Sequence, residues 1–330
     1  MKVLLIGGTG AISTACSRLC VERGMSLWLL NRGNHLDRIP RGARFMPADV
    51  NDVETVKKML ARSEWDCVVD WTIMTPQQAI RDINLFAGRT KQFIYISSTS
   101  VYQSLDRRIS EDDPVGNSIW QYARDKLEAE RVMMAQYRGK GFPVTMVRPG
   151  HTYCQFTIPT NILGLGYGLV KRIKQGKEII AHDDGLSLWA MNHSSDFAVG
   201  LVGLIGKEGT IGETFHITSD EALTWLDIFR IYGQALGVEP KIEFIPSSAI
   251  YQIDPDIGAS LLGDRALSRI FDNSKIKSFV TDYKPQVSVV DGIRRALKWH
   301  EQNQGKVYYS RQADEAVELI LRRYKDGLQG

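Results

Sequence analysis

An apolar run, Lys2-Val-Leu-Leu-Ile6, passes through Gly7-Gly-Thr-Gly10 straight into the amphipathic segment Ile12–Arg23. Few folds place a turn so poor in side chains between a buried strand and a helix. Such a turn lets backbone amides and the helix N-terminus approach a pyrophosphate. Glycine turns also arise for purely structural reasons, and the flanking strand and helix are what give this one meaning. Gly7, Thr9, Gly10, Ala11 and Ile12 are accordingly expected to touch a dinucleotide.

The same rhythm continues to about residue 150. Strand-like runs at Val3–Ile6, Leu27–Leu30, Cys67–Val69, Phe93–Ile96 and Val144–Val147 alternate with helical candidates at Val53–Arg62, Pro76–Phe86 and Tyr122–Tyr137. Strict alternation predicts an α/β fold, a parallel sheet with helices on both faces and right-handed crossovers. After Pro149 the spacing loosens. Helices are expected at Asn161–Lys174, Ser195–Leu204, Leu223–Leu236 and Asp291–Glu301, with strands at Glu178–Ala181, Thr214–Thr218 and Lys241–Ile245. The tail Asp314–Tyr324 sets Ala316, Val317, Ile320, Leu321 and Tyr324 on one helical face, expected to dock on the body.

Composition narrows the function classes. With 330 residues, 43% hydrophobic and 24% charged, the chain has the balance of a globular protein with a sizeable core. Its 41 basic and 38 acidic residues leave a net charge of only +3, which does not favour nucleic acid as a partner. The basic stretch Lys171-Arg-Ile-Lys-Gln-Gly-Lys177 is read as a solvated helix face. Cys16, Cys20, Cys67 and Cys154 form no CxxC pair and read as reduced, buried thiols. His151, His182, His193 and His216 are scattered without ligand spacing, so no metal is expected. A strand-like run at the very start leaves no room for a signal peptide, and no apolar run reaches the roughly 20 residues of a membrane span. The expectation is a cytoplasmic protein with no membrane partner.

Two further signals carry chemistry. The second strand ends in Asn31-Arg32, where a carboxylate would bind the adenosine ribose diol. A neutral amide beside a fixed cation suits NADP better than NAD. Asp49, next to Val50, is placed to accept from the adenine amino group or, equally, to cap the next helix. Then Tyr122 and Lys126, four apart on a helix, share one face. A nearby ammonium favours the phenolate, which can take a hydroxyl proton while hydride leaves the same carbon. The hydroxyl run Ser97-Ser-Thr-Ser100, at the end of a strand, can hold the reacting oxygen.

In these stretches the chain resembles the extended short-chain dehydrogenase/reductases, the NAD(P)-dependent epimerase/dehydratase family. The matches are Gly7-Gly-Thr-Gly10, Ile96-Ser-Ser-Thr-Ser-Val-Tyr102, Tyr122-x-x-x-Lys126 and Arg148-Pro-Gly-His-Thr-Tyr153, with weaker ones at Asn192–Asp196, Gly212–Ile217 and Asp272–Lys275. The resemblance runs from Met1 to about Trp299. It implies a Rossmann-like doubly wound parallel sheet with a smaller, mixed α/β C-terminal substrate lobe. Residues 1–150, with 187–218 returning, would bind NAD(P), and residues 151–186 and 219–330 would form the lobe. It implies catalysis by Ser98, Tyr122 and Lys126, with Lys126 also on the nicotinamide ribose. Cofactor contacts would include Asn31, Arg32, Asp49, Val50 and Pro149, and substrate contacts Ser98, Thr99, Tyr122, His151 and Trp189. A homodimer with the Tyr122 helix at its contact is also implied. The expected function is oxidation of a secondary alcohol, or reduction of the matching ketone, on a sugar or nucleotide-sugar-like substrate.

Departures from the family pattern qualify that reading. Ser13 stands at the third glycine and is expected to loosen helix–strand packing; Asp70-Trp71 stands in the usual histidine-alanine-alanine stretch. Thr99 and Ser100 replace the acidic pair of the dehydratases, which disfavours a 4,6-dehydratase. Trp189 and Leu261 occupy the places of two diphosphate-gripping arginines. Either Arg265, Arg269 or Lys275 compensates, or the substrate is less charged and Trp189 offers a stacking surface. The alternative reading is a non-catalytic dinucleotide sensor or RNA-associated scaffold on the same fold.

Overall fold

The computed structural model describes residues 1–304 and 309–328. Its first half runs β1 (Lys2–Ile6), α1 (Ser13–Glu22), β2 (Ser26–Asn31), β3 (Arg44–Pro47), α2 (Val53–Leu60), β4 (Cys67–Asp70), α3 (Pro76–Phe86), β5 (Phe93–Ile96), α4 (Gln121–Lys140) and β6 (Val144–Pro149). The strands are short continuous apolar runs because both faces of the sheet are covered. In β1, Val3 and Leu5 face one buried cluster with Cys16 and Cys20 of α1, while Leu4 and Ile6 face another with Val56 and Phe86. All four cysteines are free and buried.

The second half comprises β7 (His151–Tyr153), α5 (Tyr167–Lys174), β8 (Glu178–His182), β9 (Leu188–Trp189), β10 (Met191–His193), α6 (Ser194–Leu204), β11 (Thr214–Ile217), β12 (Leu223–Thr224), α7 (Trp225–Leu236) and β13 (Lys241–Ile245). It closes with α8 (Ser247–Ile253), α9 (Pro255–Ser260), α10 (Ser274–Phe279), α11 (Val289–Gln302) and α12 (Arg311–Leu328). Strand β11 returns to the large sheet beside β6, giving the order β11-β6-β5-β4-β1-β2-β3, parallel throughout. The fold is therefore the expected parallel α/β sheet, and a separate apolar core holds Trp225, Phe229 and Val317 outside it.

Local chemistry explains where the elements differ from expectation. Strand β3 is the short extended segment before Ala48, a four-residue edge strand in which only Met46 is buried. The helix expected from Asn161 begins only at Tyr167, since Gly164 and Gly166 take φ of +80° and +50°. Asn161 instead donates its side-chain amide to the Ile180 carbonyl at 2.9 Å. Helix α7 starts at Trp225 because the Thr224 hydroxyl accepts from the Asp227 amide at 3.0 Å and caps it.

The basic stretch is only partly a solvated face, with Lys174 and Lys177 exposed. Arg172 is buried and pairs with Asp314 at 2.9 Å and Glu318 at 3.0 Å, while Lys177 also reaches Glu318. These contacts clamp α12 onto the lobe, where Val317, Ile320 and Leu321 are buried as the apolar stripe required.

Helix α4 is held to the sheet by one buried, bidentate pair. Arg148 of β6 donates Nε to Glu130 at 2.8 Å and Nη2 at 2.6 Å. Removing one partner of such a pair strands the other charge. Glu130→Ala is expected to lower the unfolding free energy by about 3–5 kcal/mol. Urea denaturation checks this, and a loss below about 1 kcal/mol would show that the pair does not anchor α4.

Candidate active site

A parallel sheet brings all its strand C-termini to one edge, and the site is assembled there. The turn after β1 needs glycine: Gly7 and Gly8 have φ of +105° and +78°, and a Cβ on Gly8 would lie 2.6 Å from Leu29 Cδ2. Asn31, ending β2, clips this turn in place. Its side-chain amide donates to the Gly7 carbonyl at 2.8 Å, and its oxygen accepts from the Gly33 amide at 2.9 Å. Asn31 is thus a structural residue as well as a wall of the crevice. Ser13, at the place of the third glycine, accepts from the Gly10 amide at 2.9 Å with its hydroxyl and ties the turn to the start of α1.

Gly7, Thr9, Gly10, Asn31, Arg32, Asp49 and Val50 line one cavity of about 330 Å³. Asp49 accepts from the Asn51 amide at 2.9 Å, whereas the cap of α2 is Asp52. The helix-cap alternative for Asp49 is therefore excluded. Ile12 and Pro149 do not line the cavity: Ile12 packs under α1 and Pro149 is buried at the end of β6. A glycine cradle free of side chains, closed by a polar rim, fits a dinucleotide.

From Gly10 and Ala11 a second cavity of about 720 Å³ leads toward the lobe, reaching His151, Arg265 and His300. Arg38 bridges the border, donating to the Thr9 carbonyl at 3.2 Å with its guanidinium 3.9 Å over the Phe156 ring.

Ser98, Thr99, Tyr122 and Lys126 gather at the same sheet edge. Ser98 caps a short 3-10 turn, Thr99–Val101, that buries Thr99. The Ser98 hydroxyl accepts from Ser100 Oγ at 2.9 Å and lies near enough to the Tyr122 phenol to favour its ionised form. Lys126 is buried, its ammonium donating to the Ile73 and Ile96 carbonyls and lying 5.9 Å from the Tyr122 ring centre. The Ile73 carbonyl belongs to the atypical Asp70–Met74 stretch, so that stretch frames the lysine.

Burial and the Asp264 charge raise the Tyr122 pKa, opposed by the Ser98 hydroxyl and by the Arg265 guanidinium. Burial lowers the Lys126 ammonium itself to about 8, against the attraction of Asp70 and Glu130. Arg265 is a second cation near the phenol, beside the Lys126 that the spacing indicates.

The other substrate candidates separate. His151 faces the larger cavity, its pKa lowered to about 3 by burial and then by Arg265, so its ring is neutral. Trp189 offers no stacking surface: it is 3% exposed, its ring centre 5.4 Å from that of Trp225, and its indole N–H donates to the Arg265 carbonyl at 3.0 Å. Leu261 is likewise core. Arg269 is spent on Asp264 at 3.2 Å, and Lys275 on Glu213 at 2.7 Å.

Sequence reasoning passed over His300, buried with neither ring nitrogen hydrogen-bonded to protein. Its signal was a lone histidine on the apolar face of α11 formed by Val289, Ile293, Ala296 and Leu297. Among the described residues no group of three or more His, Cys, Asp or Glu could hold a metal ion, and no helix is long and apolar enough to cross a membrane.

The Asn31 clip is testable. Asn31→Ala removes both hydrogen bonds, so stability should fall by about 1–3 kcal/mol in chemical denaturation and dinucleotide affinity should fall with it. Unchanged affinity by calorimetry would show that the turn holds its shape without the clip.

Comparison with known proteins places this geometry. The chain is 24% identical to the chloroplast stem-loop binding protein of 41 kDa b of Arabidopsis thaliana, over 88% of this chain and 77% of that protein. It is 23% identical to a dTDP-glucose 4,6-dehydratase of Streptomyces antibioticus, over 78% of this chain and 76% of the relative. The crystal structure of the UDP-glucuronic acid 4-epimerase of Bacillus cereus, in complex with UDP-glucuronic acid and NAD, superposes with a TM-score of 0.74 at 18% identity. That match covers 92% of this chain and 99% of the epimerase. The model of the NAD-dependent epimerase/dehydratase family matches residues 3–218, and the chain belongs to that family of enzymes.

Proposed function

We propose that the protein moves hydride between a nicotinamide dinucleotide and a secondary alcohol or ketone of a sugar-like substrate, through Ser98, Tyr122 and Lys126. The observation that carries this reading is the placing of the Ser98 hydroxyl near the Tyr122 phenol at the sheet edge, one helical turn from the buried Lys126. The cofactor, seated on the glycine turn, would accept or give the hydride. Ser98 orients the reacting oxygen and Tyr122 gives or takes its proton. Lys126, fixed by two carbonyls, points its ammonium to the nicotinamide ribose. The lobe then supplies the substrate walls, His151 among them.

Without its phenol the site has no group to move the proton. Tyr122→Phe should cut turnover by about 10²–10⁴-fold while leaving cofactor affinity nearly intact. Steady-state kinetics and calorimetry with NAD measure the two effects separately, and unchanged turnover would refute the assignment.

For the cofactor, the reading is a preference for NADP. Arg32 is exposed, lines the adenosine cavity and makes no ion pair among the described residues. No carboxylate ends β2 to repel a 2′-phosphate. Arg32→Ala should weaken NADP binding about tenfold and leave NAD binding unchanged. Equal effects on both dinucleotides would withdraw the preference.

One observation favours a second reading, an RNA-associated role: the resemblance to a stem-loop binding protein. The basic stretch that would meet phosphates is instead engaged with Asp314 and Glu318 through Arg172 and Lys177. The enzyme reading accounts for the Ser98, Tyr122 and Lys126 arrangement, which a scaffold does not need.

A further inference from the structure

Arg265 ends a π-helical turn, Leu261–Arg265, and is 8% exposed. Its backbone is pinned, because the carbonyl accepts from the Trp189 indole at 3.0 Å and from the Ser187 hydroxyl at 2.9 Å. Its side chain is not. No carboxylate among the described residues lies within ion-pair distance, and the adjacent Asp264 is engaged by Arg269. Nη1 reaches the Ser260 carbonyl at 3.4 Å, the guanidinium lies 5.5 Å from the Trp120 ring centre, Asp264 attracts it from beyond ion-pair distance, and the buried Nε has no hydrogen-bond partner. A buried guanidinium left this way is costly unless an anion completes it. The group lines the larger cavity beside His151, and its charge is felt at both the His151 ring and the Tyr122 phenol.

We infer that Arg265 receives a carboxylate carried by the substrate on the same ring as the reacting carbinol, so that the site takes a sugar acid. The inference rests on the Tyr122-centred reading above. Its position selects the ligand: the guanidinium lies 5.5 Å from the Trp120 ring centre, and that ring lies 4.7 Å from the Tyr122 ring, so an anion held there is near the proton-transfer phenol. Charge selects it too. Arg269 and Lys275 are committed to Asp264 and Glu213, so Arg265 is the fork left for an anion on the sugar ring. One free fork matches one carboxylate, and the neutral His151 ring beside it brings no second positive charge.

The test compares UDP-glucuronate with UDP-glucose on the NAD-loaded full chain by calorimetry. The wild-type protein should bind the glucuronate at least about tenfold more tightly, the worth of a charge-assisted hydrogen bond. Arg265→Gln should equalise the two sugars while changing UDP-glucose affinity less than about threefold, and Arg265→Lys should keep part of the preference. NAD affinity of each variant shows that it is folded. No preference in the wild-type protein, or binding of neither sugar, overturns the inference. An equal loss of both sugars in Arg265→Gln also overturns it, by assigning the arginine to the diphosphate. A carboxylate preference that is missing while turnover still depends on Tyr122 sinks this inference alone; turnover indifferent to Tyr122 sinks the hydride-transfer reading instead.

Discussion

Seven strands running the same way leave the protein one place to do chemistry. Parallel pairing sends every strand's C-terminus to a single edge, and the loops leaving that edge carry the glycine turn, Asn31, Asp70, Ser98 and His151. The requirement bites hardest where β1 turns into α1. Gly8 comes so close to Leu29 that no side chain fits, and Asn31 then ties β2 to the same turn through the Gly7 carbonyl. Crevice shape and sheet packing are thus one constraint. A change that relaxes the turn also loosens the first two strands.

Helix α4 depends on the sheet in a different way. Its first half carries Tyr122 and Lys126, while Ala129 and Met133 pack on the sheet and Glu130 grips Arg148. The desolvated pair is one helical turn away from the lysine it helps to place. Asp70 and Glu130 both attract the Lys126 ammonium, and the carbonyls of Ile73 and Ile96 fix its direction. What burial takes from the lysine's basicity, this acidic surround partly restores.

Much of this was legible because its signals are local. Short strand-like runs marked six of the seven sheet strands, and Pro76–Phe86 matches α3 end to end, its start fixed by the Thr75/Gln78 capping box. The glycine turn and the Tyr122/Lys126 spacing were readable for the same reason. What escaped was set by contacts between distant residues. No local pattern shows that Trp189 packs on Trp225, or that Arg172 pairs with α12 more than a hundred residues later. The second cation near Tyr122 escaped too, since spacing shows Lys126 on its face while only the fold brings Arg265 close.

Charge accounting then separates structure from ligand recognition. A basic residue that already has a carboxylate has little left to offer a partner, and Arg81, Arg148, Arg172 and Arg269 all have one. Arg32 and Arg265 differ: each lines a cavity, at opposite ends of the crevice, with no ion pair among the described residues. Arg32 sits in water and loses little by waiting. Arg265 is desolvated, so its unmet charge weighs on the folded state until an anion arrives. Binding energy for such an anion is partly the relief of that burden, and it is released beside Tyr122, where the reacting ring must be oriented.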